Sequence, residues 1–230
     1  LHYGFEVYGV YDGYEGLTKG KISVLKRGDV GGIINAGGTI LGSARFPEFK
    51  DIEVRKEAVK QLEALGIEGL VVIGGDGTYR GAQALTQMGI NCVGLPGTIA
   101  NDISSTDYTI GFYTALQTIV ESLDKLRDTS LSHQRCSVVE VMGRHCGDLA
   151  LYAGISAGSE FIITPETKYN RDLTMQAIKR SHDNGRRHAL VVVTEHMLNV
   201  IDLAKDIEET TGYETRATIL GHVQRGGSPV

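Results

Sequence analysis

Leu70-Val71-Val72-Ile73-Gly74-Gly75-Asp76-Gly77-Thr78 sets a short apolar run directly before a glycine turn that carries one carboxylate. The run reads as a buried strand, and a helical pattern over residues 78–88 follows it at once. Glycines let backbone N–H groups approach a polyphosphate, and the helix start adds the positive end of its dipole. A carboxylate inside such a turn would repel a bare phosphate. It fits there if a Mg²⁺ ion lies between them. The stretch therefore predicts a strand–turn–helix unit of an α/β protein with Asp76 as metal ligand and Gly75, Gly77 and Thr78 as backbone donors.

Working outward, apolar β-rich runs recur at 6–11, 92–95, 137–141, 161–163, 190–194 and 218–220. Helical stripes lie between them. Val54, Ala58, Leu62 and Leu65 share one face, with Gly66 as the stop, and Leu116, Ile119, Val120, Leu123 and Leu126 share another. Leu173, Ala177 and Ile178 mark a third stripe, and Leu203, Ala204 and Ile207 a fourth. Strands alternating with helices predict α/β architecture with largely parallel sheets, whose ligands gather at the carboxyl ends of strands. The polar loop before Leu116 places a domain boundary near Gly111.

Composition narrows the function classes. The chain has 230 residues, 41% hydrophobic and 22% charged, and a formal charge of −5, which argues against a nucleic-acid groove. Its 30 glycines are about twice the usual share of roughly 7% and, with only four prolines, point to functional turns. Cys92, Cys136 and Cys146 have no zinc spacing and no disulfide pattern, which fits a reducing, cytoplasmic compartment. No apolar run approaches the ~20 residues that span a bilayer, so no membrane partner is expected.

Further candidates follow strands directly. Thr98, Asn101 and Asp102 lie in the loop after 92–95, at the same sheet edge as the glycine turn. Met142-Gly143-Arg144-His145 follows 137–141, and Gly221-His222-Val223-Gln224-Arg225 follows 218–220. With Arg135 and Arg216 these make four arginines near strand ends of an acidic chain, where planar guanidinium groups suit phosphate. Arg127, the region of His133, and Arg186-Arg187-His188 suggest a second anion site.

Taken together, these motifs resemble the bacterial ATP-dependent 6-phosphofructokinases over essentially the whole chain. The resemblance rests on Gly-Gly-Asp-Gly-Thr at 74–78, Pro-Gly-Thr-Ile at 96–99 with Asn101-Asp102, Met-Gly-Arg-His at 142–145, the run 220–229, and Ala44-Arg45-Phe46-Pro47-Glu48-Phe49. It implies two Rossmann-like three-layer αβα domains: an ATP-binding domain, 1–111 with 224–230 returning to it, and a fructose-6-phosphate and effector domain, 112–223. It implies transfer of the γ-phosphate of ATP to the 1-hydroxyl of fructose 6-phosphate in a homotetramer. Arg45, Phe46, Gly75, Asp76, Gly77 and Thr78 match the ATP site, with Mg²⁺ on Asp76. Thr98, Met142, Gly143, Arg144, Glu195, His222 and Arg225 match substrate positions, and Arg135 and Arg216 match arginines that a neighbouring subunit supplies. Arg127, Gly158, Glu160, Arg186, Arg187 and His188 match the allosteric site for ADP or phosphoenolpyruvate. Members using pyrophosphate tend to carry Asp at position 77 and Lys at 97. Gly77 and Gly97 here imply ATP.

The chain departs from the pattern in four respects. Ala100 occupies the position of the family's catalytic aspartate base. Tyr113 and His196 replace a usual Asp and Gly, and Asn184 stands where many relatives carry an effector-site Arg. The family's first strand with its Gly-Gly-Asp loop, and the elements after residue 230, are missing, so both ends read as cut. Residues 1–4 read as a helix tail, and exposed strand edges imply poor solubility. A non-catalytic subunit or ligand sensor is the second reading. A NAD or lipid kinase, which shares the glycine–aspartate turn, is the third.

Overall fold

The computed structural model describes residues 2–230, which form two compact units. Leu1, part of the expected helix tail, lies outside the described residues. Residues 2–4 make a turn, with Gly4 at φ +81°.

The first unit runs to Gly97 and takes in Gly227–Pro229. It contains β1 (Tyr8–Val10), α1 (Gly13–Thr18), β2 (Ile22–Val24), α2 (Ile52–Ala64), β3 (Leu70–Ile73), α3 (Asp76–Thr86) and β4 (Cys92–Leu95). Strands β1 and β2 pair antiparallel, and β3 and β4 pair parallel, with Leu70 opposite Cys92 and Ile73 opposite Leu95. Asp51 caps α2 by accepting from Glu53 N–H at 2.9 Å, and Gly66 follows it at φ +63°. The core is Leu17, Phe49, Ala58, Leu62 and Leu85. The other face of the β3–β4 pair is open: Val71, Ile73, Val93 and Leu95 are 60, 64, 60 and 40% exposed.

The second unit, Thr98–Gly226 with Val230, holds α4 (Phe112–His133), β5 (Cys136–Val141), α5 (Asp148–Ala157), β6 (Phe161–Ile163), α6 (Arg171–Asp183), β7 (Ala189–Thr194), α7 (Val200–Thr211) and β8 (Thr215–Ile219). Its four strands are all parallel in the order β6-β7-β5-β8. Val139, Val141, Leu190 and Val192 pack on one face with α4 and α5. Val138, Ala189, Val191 and Val193 pack on the other with α6 and α7. Burial on both faces explains why β5 and β7 read as continuous apolar runs.

The α/β class with parallel sheets is as expected, and β3, β4 and β6 have the expected bounds. Strands β1, β5 and β7 differ by one or two residues at one or both ends, and four elements differ more. The short α1 and β2 carried no signal. Helix α5 was missed because its exposed face is itself apolar, with Leu151, Tyr152 and Ile155 all facing solvent, and so has no polar stripe. Strand β8 was expected at 218–220 but begins at Thr215, because pairing with Cys136 of β5, not an apolar run, selects it. The units also divide at Gly97 and Thr98, not at Gly111. Gly111 N–H donates to Thr98 O (3.0 Å), Thr109 N–H to Asn101 Oδ1 (3.1 Å), and Asn101 Nδ2 to Asp148 Oδ2 (2.8 Å). The loop is thereby tied to α4 and α5.

The open β3–β4 face is an association liability. Replacing Val71 and Val93 by threonine keeps β-branching on an exposed face, so each should shift stability by no more than about 0.5 kcal/mol. Light scattering at matched concentration should fall several-fold. Unchanged scattering would show that another surface drives association.

Candidate active site

In the first unit the glycine turn joins β3 to α3. Helix α3 begins at Asp76, two residues before the expected start, with Gly75 as N-cap. Thr78 N–H donates to Gly75 O at 2.9 Å, closing the turn. A Cβ at Gly74 would lie 2.3 Å from Thr78 Oγ1, so only glycine lets that hydroxyl fold back over the strand end. Tyr14, on α1, donates its hydroxyl to Thr78 O at 2.6 Å and stacks on Phe49 (centroids 4.2 Å, 10°). Burial pushes its phenol well above the usual value. Arg45 is exposed, and Phe46 is half-buried beside Phe49.

Asp76 accepts from Arg80 Nε at 3.1 Å, with 77% of the Arg80 side chain exposed. Such a solvent-facing i,i+4 pair is worth only about 0.3–0.5 kcal/mol. Among the described residues no cluster of three or more His, Cys, Asp or Glu could hold a metal alone. One hard carboxylate at a glycine turn that begins a helix fits Mg²⁺, which is usually held by one or two carboxylates plus substrate phosphates.

In the second unit the loops after β5, β7 and β8 leave one sheet edge together. The loop after β5 runs to α5 on one face, while the loop after β7 runs to α7 on the other, which makes a topological switch point between the two strands. Glu195 sits there. Its Oε1 accepts from Gly143 N–H (3.1 Å) and Arg144 N–H (2.8 Å), while its own N–H donates to Val141 O (2.8 Å). A Cβ at Gly143 would meet Cys146 O at 2.4 Å, because the loop doubles back on itself. Arg144 adopts φ +57° and points Nη1 to 3.9 Å from Asp102 Oδ2, in a side chain only 12% exposed. A non-glycine residue held left-handed costs of order 1 kcal/mol, and at a binding loop such strain commonly serves placement. Gly221–Arg225 form a 3₁₀ turn with His222 and Arg225 exposed and Gln224 buried. Thr98, Ala100, Asp102, Met142, Gly143, Arg144, Glu195, His222 and Arg225 therefore all belong to the second unit.

Arg135 and Arg216 lie at the opposite, amino-terminal edge of that sheet. Both converge on Glu214: Arg135 Nε lies 2.9 Å from Oε2, and Arg216 bonds Oε1. The Arg135 hydrogen bond, before other charges, holds the Glu214 carboxyl below the usual range. The same edge gathers most of the expected second anion site. Arg127 donates to Ala157 O (3.1 Å), next to Gly158, the left-handed cap of α5. Glu160, with a side chain only 5% exposed, accepts from Leu190 N–H (2.6 Å) and Arg186 (2.7 Å). Arg187 and His188 follow in the same segment, whereas His133 turns back to Thr129 O (3.0 Å) on its own helix.

Glu140 is a neighbour of Glu195 that sequence reasoning passed over. Its signal was a lone acid inside the apolar β5 run. Burial first, then the charge of Glu195, raises its carboxyl above the usual range, with His196 partly offsetting them. Cys136 and Cys146 are not poised nucleophiles: burial pushes their thiols up to about 12 and about 11.

Parallel strands whose carboxyl ends carry arginine-bearing loops, with a glycine–aspartate turn at a helix start, define an α/β protein that handles phosphorylated ligands. Residues 1–230 match the family model described as phosphofructokinase, and the chain belongs to that family. It is 58% identical over 229 residues to an ATP-dependent 6-phosphofructokinase of Vibrio campbellii, spanning 100% of this chain and 72% of that relative. The phosphofructokinase structure from Saccharomyces cerevisiae superposes with a TM-score of 0.91 at 39% identity, over all of this chain and 35% of that one. A pyrophosphate-dependent phosphofructokinase from Marinobacter aquaeolei shares the fold, with a TM-score of 0.80, 23% identity, and coverage of 96% of this chain and 60% of that one.

A carboxyl whose folded pKa exceeds its unfolded value binds its proton more tightly when folded. Stability then falls as pH rises between the two values and stays lowered above them. Glu140→Gln is therefore expected to raise the melting temperature near pH 8 and leave it almost unchanged near about pH 4. Melts across that range check this, and a pH-independent shift would remove the assigned cause.

Proposed function

We propose that the chain carries the reacting sites of an ATP-dependent 6-phosphofructokinase, a cytoplasmic glycolytic kinase, with turnover impaired by Ala100. The observation that carries the reading is the Glu195-held loop that presents Arg144 beside Asp102 at the carboxyl edge of the sheet. Fructose 6-phosphate is the acceptor: Thr98, Met142, Gly143, Arg144, Glu195, His222 and Arg225 bind the sugar phosphate. Gly75, Gly77 and Thr78 cradle the ATP phosphates, and Arg45 and Phe46 flank the nucleotide. Asp76 would hold Mg²⁺, which supplies neutralisation of charge on the transferring phosphoryl group. Arg144 stabilises charge that develops during transfer, from a position already held by backbone bonds and so without reorganisation. Asp102 orients Arg144.

Accepting the 1-hydroxyl proton needs a carboxylate in line with the acceptor, and Ala100 has none. Loss of general-base action costs about 10²–10⁴-fold. Ala100→Asp, in the chain extended to the length of its relatives, should raise fructose 6-phosphate turnover at least about tenfold. A smaller gain would sink the lost-base account. Ala100 also favours a second reading, a binding subunit or ligand sensor. Thermal stabilisation by ADP or fructose 6-phosphate without turnover at high protein concentration would support it.

ATP is favoured over pyrophosphate by the space at Gly97. A Cβ there would lie 2.6 Å from Ile73 Cγ2, so the lysine of pyrophosphate users would displace that side chain. Assembly as a homotetramer accounts for Arg135 and Arg216, which sit at the sheet edge away from the Arg144 loop and would serve a neighbour's sugar phosphate. The cluster of Arg127, Gly158, Glu160, Arg186, Arg187 and His188 would take ADP or phosphoenolpyruvate, and Asn184 would weaken that response. Among the described residues no helix is long and apolar enough to cross a membrane. An acceptor screen separates this function from a NAD or lipid kinase. Phosphorylation of NAD or diacylglycerol, and not of a sugar phosphate, would overturn the choice.

A further inference from the structure

We propose that Gln224 is a positioning residue that holds the turn bearing His222 and Arg225 in register with the loop bearing Arg144. This rests on the reading of those loops as a sugar-phosphate site. Gln224 is 1% exposed, while its neighbours His222, Val223 and Arg225 face solvent. It is the one buried side chain of the turn among its described residues. Backbone pairing between β5 and β8 ends where Leu220 N–H donates to Glu140 O at 3.1 Å. Beyond that point the two chains diverge, and the Gln224 amide bridges them. Its Oε1 accepts from Met142 N–H at 3.0 Å, and its Nε2 donates to Gly221 O at 2.8 Å.

The next two N–H groups of the same loop, those of Gly143 and Arg144, are held by Glu195. Three successive amides are thus fixed by two side chains, one from the β7 end and one from the β8 end. Bridging Met142 N–H and Gly221 O requires an acceptor and a donor on one planar group, which a glutamine supplies and an ionised glutamate does not. A protonated glutamate would supply both. Buried beside a carbonyl, such a carboxyl has a raised pKa, so its protonated form persists into the mildly acidic range.

The test uses the 230-residue chain with fructose 6-phosphate and Mg-ADP as probes, followed by calorimetry and amide hydrogen exchange. Gln224→Leu should weaken fructose 6-phosphate at least about tenfold, leave Mg-ADP within about twofold, and speed exchange of the Met142 amide. Gln224→Glu should bind poorly near about pH 8 and approach the parent as pH falls toward about 6, measured as the ratio to the parent at each pH. Equal losses for both ligands would indicate general unfolding and overturn the proposal. So would parent-like sugar-phosphate binding by Gln224→Leu, or a pH-independent ratio for Gln224→Glu. If the parent itself fails to bind fructose 6-phosphate, the proposed function falls and this inference falls with it.

Discussion

Val138 and Val139 are adjacent in β5 yet belong to opposite cores, one under α6 and α7 and the other under α4 and α5. That double burial constrains the rest of the second unit. A parallel sheet covered on both faces has no polar surface except at its strand ends, so every reactive group must be carried there by a loop. The loops are short, and their backbone groups must be satisfied close to an apolar core. Side-chain acceptors meet that need. Glu195 and Gln224 take three successive N–H groups from the loop after β5, and the bonds that satisfy the backbone also aim Arg144.

The same logic shapes the opposite edge. There the arginines are organised by carboxylates: Arg135 and Arg216 by Glu214, and Arg186 by the nearly buried Glu160. The chain is acidic overall, with a charge of −5, yet its arginines gather in local clusters around individual acids. An anion that arrives at such a cluster competes with the resident carboxylate. Its binding therefore depends on how tightly that acid is held by other donors, as Glu160 is by Leu190 N–H. Charge placement, not net charge, decides where phosphate can bind.

Much of this was legible from residues alone, for identifiable reasons. Strands β3, β4 and β6 were readable because apolar runs bounded by glycine or polar loops have few other interpretations. Helix α2 was readable from its single stripe and its stop at Gly66. Helix α5 was not, because its solvent face carries Leu151, Tyr152 and Ile155, so periodicity shows no polar stripe. The polar start of β8 was not, because an edge strand is recruited by its partner's backbone. The boundary near Gly111 followed local polarity, whereas Asn101 ties that loop into the second unit through Asp148.

By itself the sequence determined the α/β class, the glycine–aspartate turn, the arginine-bearing loops and the alanine at position 100. These follow from residue identity, periodicity and order, which are local properties. Only the tertiary structure decided which groups meet. It set Glu195 and Gln224 against one loop, brought Arg144 toward Asp102, and sent Arg135 and Arg216 to the far edge with Glu214. Strand order and the face to which each connection crosses control those pairings. Both depend on contacts between residues distant along the chain, and no local pattern encodes them.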